Sequence, residues 1–493
     1  MSDAWRGVEW REVTWRQSEW CGAEWREAGL RGSERARWAK SACGSEGQGP
    51  NLVAGRVCAV LLLVAAGVGP LVSPAAAQVL TVEDAVRLGL ERSPRVQAAE
   101  SEAAAAAARA REARAGLLPA LRAQASYTHV GGDIPEAEFT LPGIDTTITL
   151  LPVVRNQYHA ELGVEQPLFT GGRLRAAHRA AGREAAAAEW AAEEARADVA
   201  LEVRQSYWTL HGALGELAAT DAALAQVEEH LREVVRLFEE GALLRADVLA
   251  AETRRSEVLL ERVGTRNAVQ VARLELSRLL GLPSDPELTP SPPTEVEPLP
   301  PEPAVLAEVA LAARPELRAL AERVEALRAH ERSVRGGRLP DLSFVSRFIY
   351  ARPNPYVFME PEEFHGTWEA GLSLRWGVWE GGARSAREAE ARERRRAAEA
   401  RLEDARELAV VDVSRRYLEA ERAGQALAVA AQVVEQAAES LRVVRRQFAE
   451  GAALSSQVLE AEAVYRQALA RRARAEAEHG IARAALRHAL GEA

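Results

Sequence analysis

The chain has 493 residues, 47% of them apolar and 27% charged, and a formal net charge of −10. That length suits two or three ordinary globular domains, and the acidic balance argues against a nucleic-acid partner. Cys21, Cys43 and Cys58 are its only cysteines and all precede the processing site described below, so no disulfide or thiolate metal site is expected beyond it. The nine histidines are scattered, with no HExxH, no nucleophile signature and no phosphate-binding glycine loop. No catalytic residue, cofactor or metal ligand is nominated, and an enzyme is the weakest reading.

Trp5, Trp10, Trp15, Trp20 and Trp25 recur every five residues, a period of neither helix nor strand. Residues 1–50 are accordingly given no fold and are expected to be a disordered, non-native leader. Residues 51–77 resemble an export signal. Arg56 precedes an apolar run from Val57 to Gly69, too short to span a bilayer, and Ala75, Ala76 and Ala77 close it with a cleavable small-residue ending. Beyond Ala77 the chain stays acidic, and arginine supplies all its Lys/Arg charge.

The rest is one unit written twice, a pattern that fixes architecture before any local assignment. Ser93-Pro94 aligns with Arg314-Pro315 and Leu118-Pro119 with Leu339-Pro340, at an offset of 221; Gly171-Gly172, Tyr207, Phe238 and Gly241 align with Gly381-Gly382, Tyr417, Phe448 and Gly451, at an offset of 210. The first repeat is expected over 78–281, a proline-rich linker over 282–303, and the second repeat over 304–493.

The first repeat opens with a helix from Arg95 to Leu117, then strands at about 120–130 and 157–168 around a Gly/Pro-rich loop. Leu121, Ala123, Ala125 and Tyr127 alternate with Arg122, Gln124, Ser126 and Thr128. From Arg173 to Glu240 runs a proline-free helix of about 68 residues, roughly 100 Å at 1.5 Å per residue, which exceeds any globular domain. Its seam, Val203, Leu210, Leu217, Leu224, Leu231 and Phe238, has a strict spacing of seven. The chain turns at Gly241 and returns through about 40 residues to Gly281.

After the linker the second repeat restates this plan. A helix of 22 residues from Glu316 to Gly337 leads into strands at about 341–351 and 367–378, where Trp368, Ala370, Leu372, Leu374 and Trp376 alternate with Glu369, Gly371, Ser373 and Arg375. The second long helix, Ala383 to Glu450, carries Val413, Ala420, Leu427, Val434, Leu441 and Phe448 at the same spacing and turns at Gly451. Each long helix faces two shorter ones laid end to end, because 40 and 22 residues together nearly match 68. Strands of about ten residues suit a tilted membrane span, and four strands cannot close a barrel alone, so the chain must oligomerise. Tyr207 and Tyr417 are expected to be packing anchors between helices.

These features resemble the TolC-type outer-membrane factors. The resemblance rests on the duplicated plan, on QPLFTGG from Gln166 with its counterpart WGVWEGG from Trp376, and on FEEGALLRADVLAAE from Phe238 with FAEGAALSSQVLEAE from Phe448. It implies a mostly helical protein with membrane β-structure: a homotrimer with twelve strands in one outer-membrane barrel, continued by twelve helical columns as a coiled-coil periplasmic tunnel. It implies a passive exit duct for small molecules or polypeptides, working with a periplasmic adaptor (membrane fusion protein) and an inner-membrane pump of RND or ABC type.

On that resemblance Gly241, Ala242, Leu243 and Leu244, with Gly451, Ala452, Ala453 and Leu454, are adaptor-contacting tips. Asp247, Gln457 and Glu460 would line the periplasmic constriction. Gly171, Gly172, Gly381 and Gly382 would form the barrel-to-tunnel junction. Leu121, Tyr127, Trp368, Leu372 and Trp376 are expected to face outer-membrane lipid, and Arg122, Gln124, Ser126, Thr128, Glu369, Ser373 and Arg375 the lumen. The rival reading is a periplasmic coiled-coil adaptor or scaffold without a channel, which has no use for amphipathic strands.

Overall fold

In a computed structural model the described residues are 78–133, 137–140, 147–151, 154–283, 288–291, 303–357 and 362–492, all within one unit beginning at Pro74. The 1–50 leader and the 51–77 signal lie outside the described residues.

The first repeat contains β1 (Gln78–Leu80), α1 (Val82–Arg92), α2 (Pro94–Ala115), β2 (Ala120–His129), β3 (Ala137–Thr140), β4 (Thr147–Leu151), β5 (Asn156–Phe169), α3 (Arg173–Glu239) and α4 (Arg245–Leu279). The second contains β6 (Leu288–Pro290), α5 (Pro303–Ala313), α6 (Pro315–Gly336), β7 (Asp341–Arg352), β8 (His365–Arg375), α7 (Ala383–Ala449) and α8 (Ser455–Ala489). Pro94 and Pro315 open α2 and α6, where a missing N–H costs nothing and the preceding residue is held extended. That is why α1 and α2, nearly continuous in sequence, are two helices.

α3 and α7 have 67 residues each, about 100 Å. Every residue of both seven-spaced series is buried or half-buried, so the seam is the packing face. Around α3 stand α2 and α4 of its own repeat and α6 and α8 of the other, whereas α7 is packed chiefly by α5, α6 and α8 of its own repeat. The largest cluster of buried apolar residues gathers Val199, Val203, Tyr207 and Leu210 of α3 with Leu276 and Leu280, Leu80 and Leu288.

Two elements depart from the expected plan. Leu288–Pro290, inside the proline-rich linker, is a strand pairing in parallel with Gln78–Leu80, and both lie across α3. Tyr207 anchors them: its hydroxyl donates to Leu80 O at 3.1 Å and Ser291 O at 3.2 Å. Burial pushes the Tyr207 phenol up to about 12. Its counterpart Tyr417 is half-buried against the Val413, Ala420 and Leu486 cluster. The second departure is a hairpin of β3 and β4 within the long loop of the first repeat.

Candidate functional site: an amphipathic sheet, a glycine junction and two helical tips

β2, β5, β7 and β8 form one antiparallel sheet in that order, so β2 and β8 are free edges. Register sorts the side chains into two faces. Ala123, Leu162, Phe348 and Trp368 share one cross-strand row, flanked by Leu121 and Val164 on one side and Ala160 and Tyr350 on the other. Except for half-buried Val164 these are exposed apolar side chains, with Trp368 77% exposed. At the loop end of this face Tyr127, Tyr158, Phe364 and Tyr350 pack in a chain of rings with neighbouring centroids 5.1–5.6 Å apart, and the Arg352 guanidinium lies 5.2 Å from the Tyr158 ring.

The opposite face is charged. Arg122, Gly163, Arg347 and Glu369 form one row, with Gln124, Glu161 and Thr367 in the next. Arg122 pairs with Glu165 at 2.8 Å and Arg347 with Glu369 at 2.5 Å. The alternation expected for Leu121, Tyr127, Trp368 and Leu372 against Arg122, Gln124, Ser126, Thr128, Glu369 and Ser373 is therefore real in three dimensions. β8 ends at Arg375, so Trp376 lies beyond the strand, its indole N–H donating to Arg338 O at 3.1 Å.

Where the sheet meets the helices, Gly171 and Gly381 have φ 57°, and Gly172 and Gly382 have φ 81° and 87°. Two successive left-handed residues start each long helix, just after β5 at Gly171 and after residues 376–380 at Gly381, a conformation that costs any residue with a Cβ. Beside this junction Val378 and Trp379 are among the most exposed apolar side chains, at 74% and 85%. Among the described residues no helix is long and apolar enough to cross a membrane.

At the far ends of α3 and α7 the chain reverses through Gly241 and Gly451, at φ 75° and 74°. Leu244 and Leu454 stand out from the turns, 72% and 68% exposed. Leu243 and Ala453, nominated with them, are also partly buried against Val234, Val248, Phe448 and Val458, joining the two hairpins. Asp247 and Gln457 occupy the third helical position of α4 and α8. The Leu244 N–H donates to Asp247 Oδ2 at 3.0 Å and the Leu454 N–H to Gln457 Oε1 at 2.8 Å, so both side chains cap their own helices. Glu460 is exposed on α8.

Behind the tips lies a buried polar group that has no signature in the sequence. His230, 4% exposed, meets Ser455 Oγ at 3.0 Å and packs against the Phe448 ring. Burial, and then the nearby Arg445, press its imidazole down to about 4. Arg445 also pairs with buried Glu462 at 2.7 Å, yet burial outweighs that pairing and raises the Glu462 carboxyl. Among the described residues no group of three or more His, Cys, Asp or Glu could hold a metal ion.

An amphipathic sheet set at one end of helices about 100 Å long defines the class of outer-membrane β-barrel channels that continue as a helical tunnel. The family described as Outer membrane efflux protein matches residues 85–282 and 306–492, and the chain belongs to it. It is an outer-membrane protein whose helices extend into the periplasm.

Among solved structures, the chain is similar to the outer membrane protein VceC of Vibrio cholerae at 20% identity and a TM-score of 0.70, covering 83% of this chain and 96% of that one. It is similar to the CmeC outer membrane channel of Campylobacter jejuni at 15% identity and a TM-score of 0.70, over 83% and 85%. It is also similar to the open state of the MtrE outer membrane channel of Neisseria gonorrhoeae at 20% identity and a TM-score of 0.68, over 83% and 89%. Family and structural neighbours are channels. Among curated proteins no sequence matches.

Proposed function

We propose that three copies of the chain close one twelve-stranded barrel and act as the passive exit duct of a tripartite efflux or type I secretion system. The observation that carries this is the four-stranded sheet with one greasy face, one charged face and two free edges. In hydrocarbon an edge must pair, and the smallest spanning barrels need about eight strands, so neighbouring chains must join β8 to β2. Three is the number the family resemblance implies.

Packing between the two repeats supplies a template for packing between chains. Within the chain the second repeat's α6 and α8 clasp α3, while α7 lacks a matching clasp from the first repeat. A neighbour's α2 and α4 would provide it. Exposed Leu418 on α7 is the counterpart of Trp208, which lies against Gly480 of the other repeat. Exposed Val263 on α4 is the counterpart of Ala473, which lies against Gly215.

In this reading the tips, with Leu244 and Leu454 outermost, meet a periplasmic adaptor (membrane fusion protein), and an inner-membrane pump of RND or ABC type supplies the energy. No catalytic group is required of this chain. Asp247, Gln457 and Glu460 ring the periplasmic mouth; Asp247 and Gln457 also cap their own helices, Glu460 adds an exposed carboxylate beside them, and Glu460→Gln is expected to lower cation selectivity in planar bilayers. Unchanged reversal potentials would remove Glu460 from the mouth. For the duct itself the test is the outer-membrane fraction. A band of three chain masses that collapses to one on heating is expected, and a monomer that needs no detergent would end this reading in favour of a scaffold.

A further inference from the structure

The loop joining β7 to β8 is pinned to both faces of the sheet. On the apolar face Phe364 stacks on Tyr350, with centroids 5.3 Å apart and planes 17° apart, and tilts against Tyr158 at 5.6 Å. At the rim Asn354, 2% exposed, donates from Nδ2 to His365 O at 2.8 Å and Thr367 Oγ1 at 3.2 Å. Asn354 also organises the segment that follows it. Its Oδ1 accepts the Tyr356 N–H at 2.9 Å and its carbonyl the Val357 N–H at 3.1 Å.

That geometry sends the chain inward over the charged face. Thr367 and Glu369 lie two residues apart on β8 and so on one face, the face of Arg347 and Arg122. The Tyr356 hydroxyl donates to Glu369 Oε2 at 2.5 Å, and the same carboxylate takes Arg347 directly opposite it in register. A hydrogen bond to an ionised carboxylate is stronger than one between neutral groups. The Tyr356 ring itself is exposed, 56%.

We infer that residues 354–357 are a strap across the extracellular mouth of the barrel, latched by Tyr356 to the Arg347–Glu369 pair, and that this strap sets the aperture through which cargo leaves. The inference rests on the proposed closure of three chains into a barrel. Twelve strands spaced about 4.8 Å apart and tilted by about 40° enclose a cylinder roughly 24 Å across between backbones. Three tyrosines projecting inward at one level take a large share of that width. Asn354 is the fixed end, being buried and bonded to the rim, and the Tyr356 side chain is the releasable end, being exposed and latched through its hydroxyl. An outgoing solute wider than the latched opening must displace the tyrosines, whereas ions and water pass between them.

Thiol labelling of intact cells separates this idea from the reading beneath it. The reporter is Ser373→Cys on the charged face of β8, deeper than Glu369, in full-length protein with Cys21, Cys43 and Cys58 changed to Ser. A small membrane-impermeant methanethiosulfonate and a maleimide carrying a polyethylene-glycol chain are added from outside. The small reagent is expected to label at the same rate whatever stands at 356. The large reagent is expected to label at least five-fold faster in Tyr356→Ala than in the parent, with Tyr356→Phe between, because it keeps the ring and loses the latch. Glu369→Gln, which weakens the latch from the other side, should match Tyr356→Phe. Equal large-reagent rates in all four proteins would overturn the strap and leave the channel standing. Absence of labelling by the small reagent, with full labelling after denaturation, would overturn the barrel and the strap together.

Discussion

Gly480 lies so close to α3 that a Cβ built on it would sit 2.2 Å from Cδ2 of Trp208, in the middle of the indole. A ring core cannot yield as the end of a flexible chain does, so Gly480→Ala is expected to cost about 1–3 kcal/mol through overpacking, read as a lower Tm. His230 gives a residue-scale prediction in pH. Facing it are Ser455 of α8 and Phe448 and Arg445 of α7, and its imidazole is held near 4, below its ordinary 6.5. Between those values the unfolded chain binds the proton and the folded chain does not, so this contribution is full above about 6.5 and is lost as pH falls towards 4. Glu462 acts in the opposite sense, its carboxyl being raised by burial, so acid relieves part of the loss. Hydrogen exchange at the tips, corrected for its intrinsic pH dependence, should rise between pH 7 and 5 in the parent and less in His230→Gln. Neither residue was legible in the sequence. A histidine on a helix and a glycine inside an unbroken helical stretch have no signature until the partner helix is in place.

At the scale of elements, legibility followed length. The two long helices announced themselves because six apolar residues in succession at a spacing of seven do not arise in a loop, and their observed ends fall within a residue of the expected ones. The sheet was legible too, since alternation over ten residues assigns each side chain a face and register only had to align the faces. The pairing of β1 with β6 was not. Three residues carry no period, and the prolines around Leu288 spoke for a linker. The tips were legible as turns, from Gly241 and Gly451, but not in detail: Leu243 and Ala453, expected among the adaptor-contacting tips, are also partly buried against the cluster of Val234, Val248, Phe448 and Val458. Asp247 and Gln457 likewise reveal a local duty, accepting the N–H that opens each return helix. Replacing either by alanine removes that cap and leaves the N–H to water, which should cost about 1 kcal/mol. The loss should be larger for Asp247→Ala, whose charge also favours the helix N-terminus, and only that excess should shrink as salt rises. Exchange protection of the first turn of α4 against that of α8 measures the difference.

For the whole molecule the two repeats are unequal in what surrounds them. α3 is enclosed, with helices of both repeats along it, and α7 is open on the side where the first repeat would stand if the pattern continued. The apolar side chains left exposed occupy positions whose counterparts are covered within the chain: Leu418 of α7 answers to Trp208 of α3, and Val263 of α4 to Ala473 of α8. A duplicated chain that repeats its internal interface between subunits generates a ring, and a ring removes both the open helix face and the open strand edges in one step. Leu418→Asp and Val263→Asp test that economy directly. Each puts an unpaired carboxylate where an apolar contact between chains is expected, and such a charge is tolerated in water but costs several kcal/mol when buried. Both are exposed within the single chain, so its own fold should survive, with helical circular dichroism unchanged, while the heat-sensitive trimer in the outer-membrane fraction is lost. If trimers form as before in both variants, these surfaces face water in the assembly, and the interface between chains does not copy the interface between repeats.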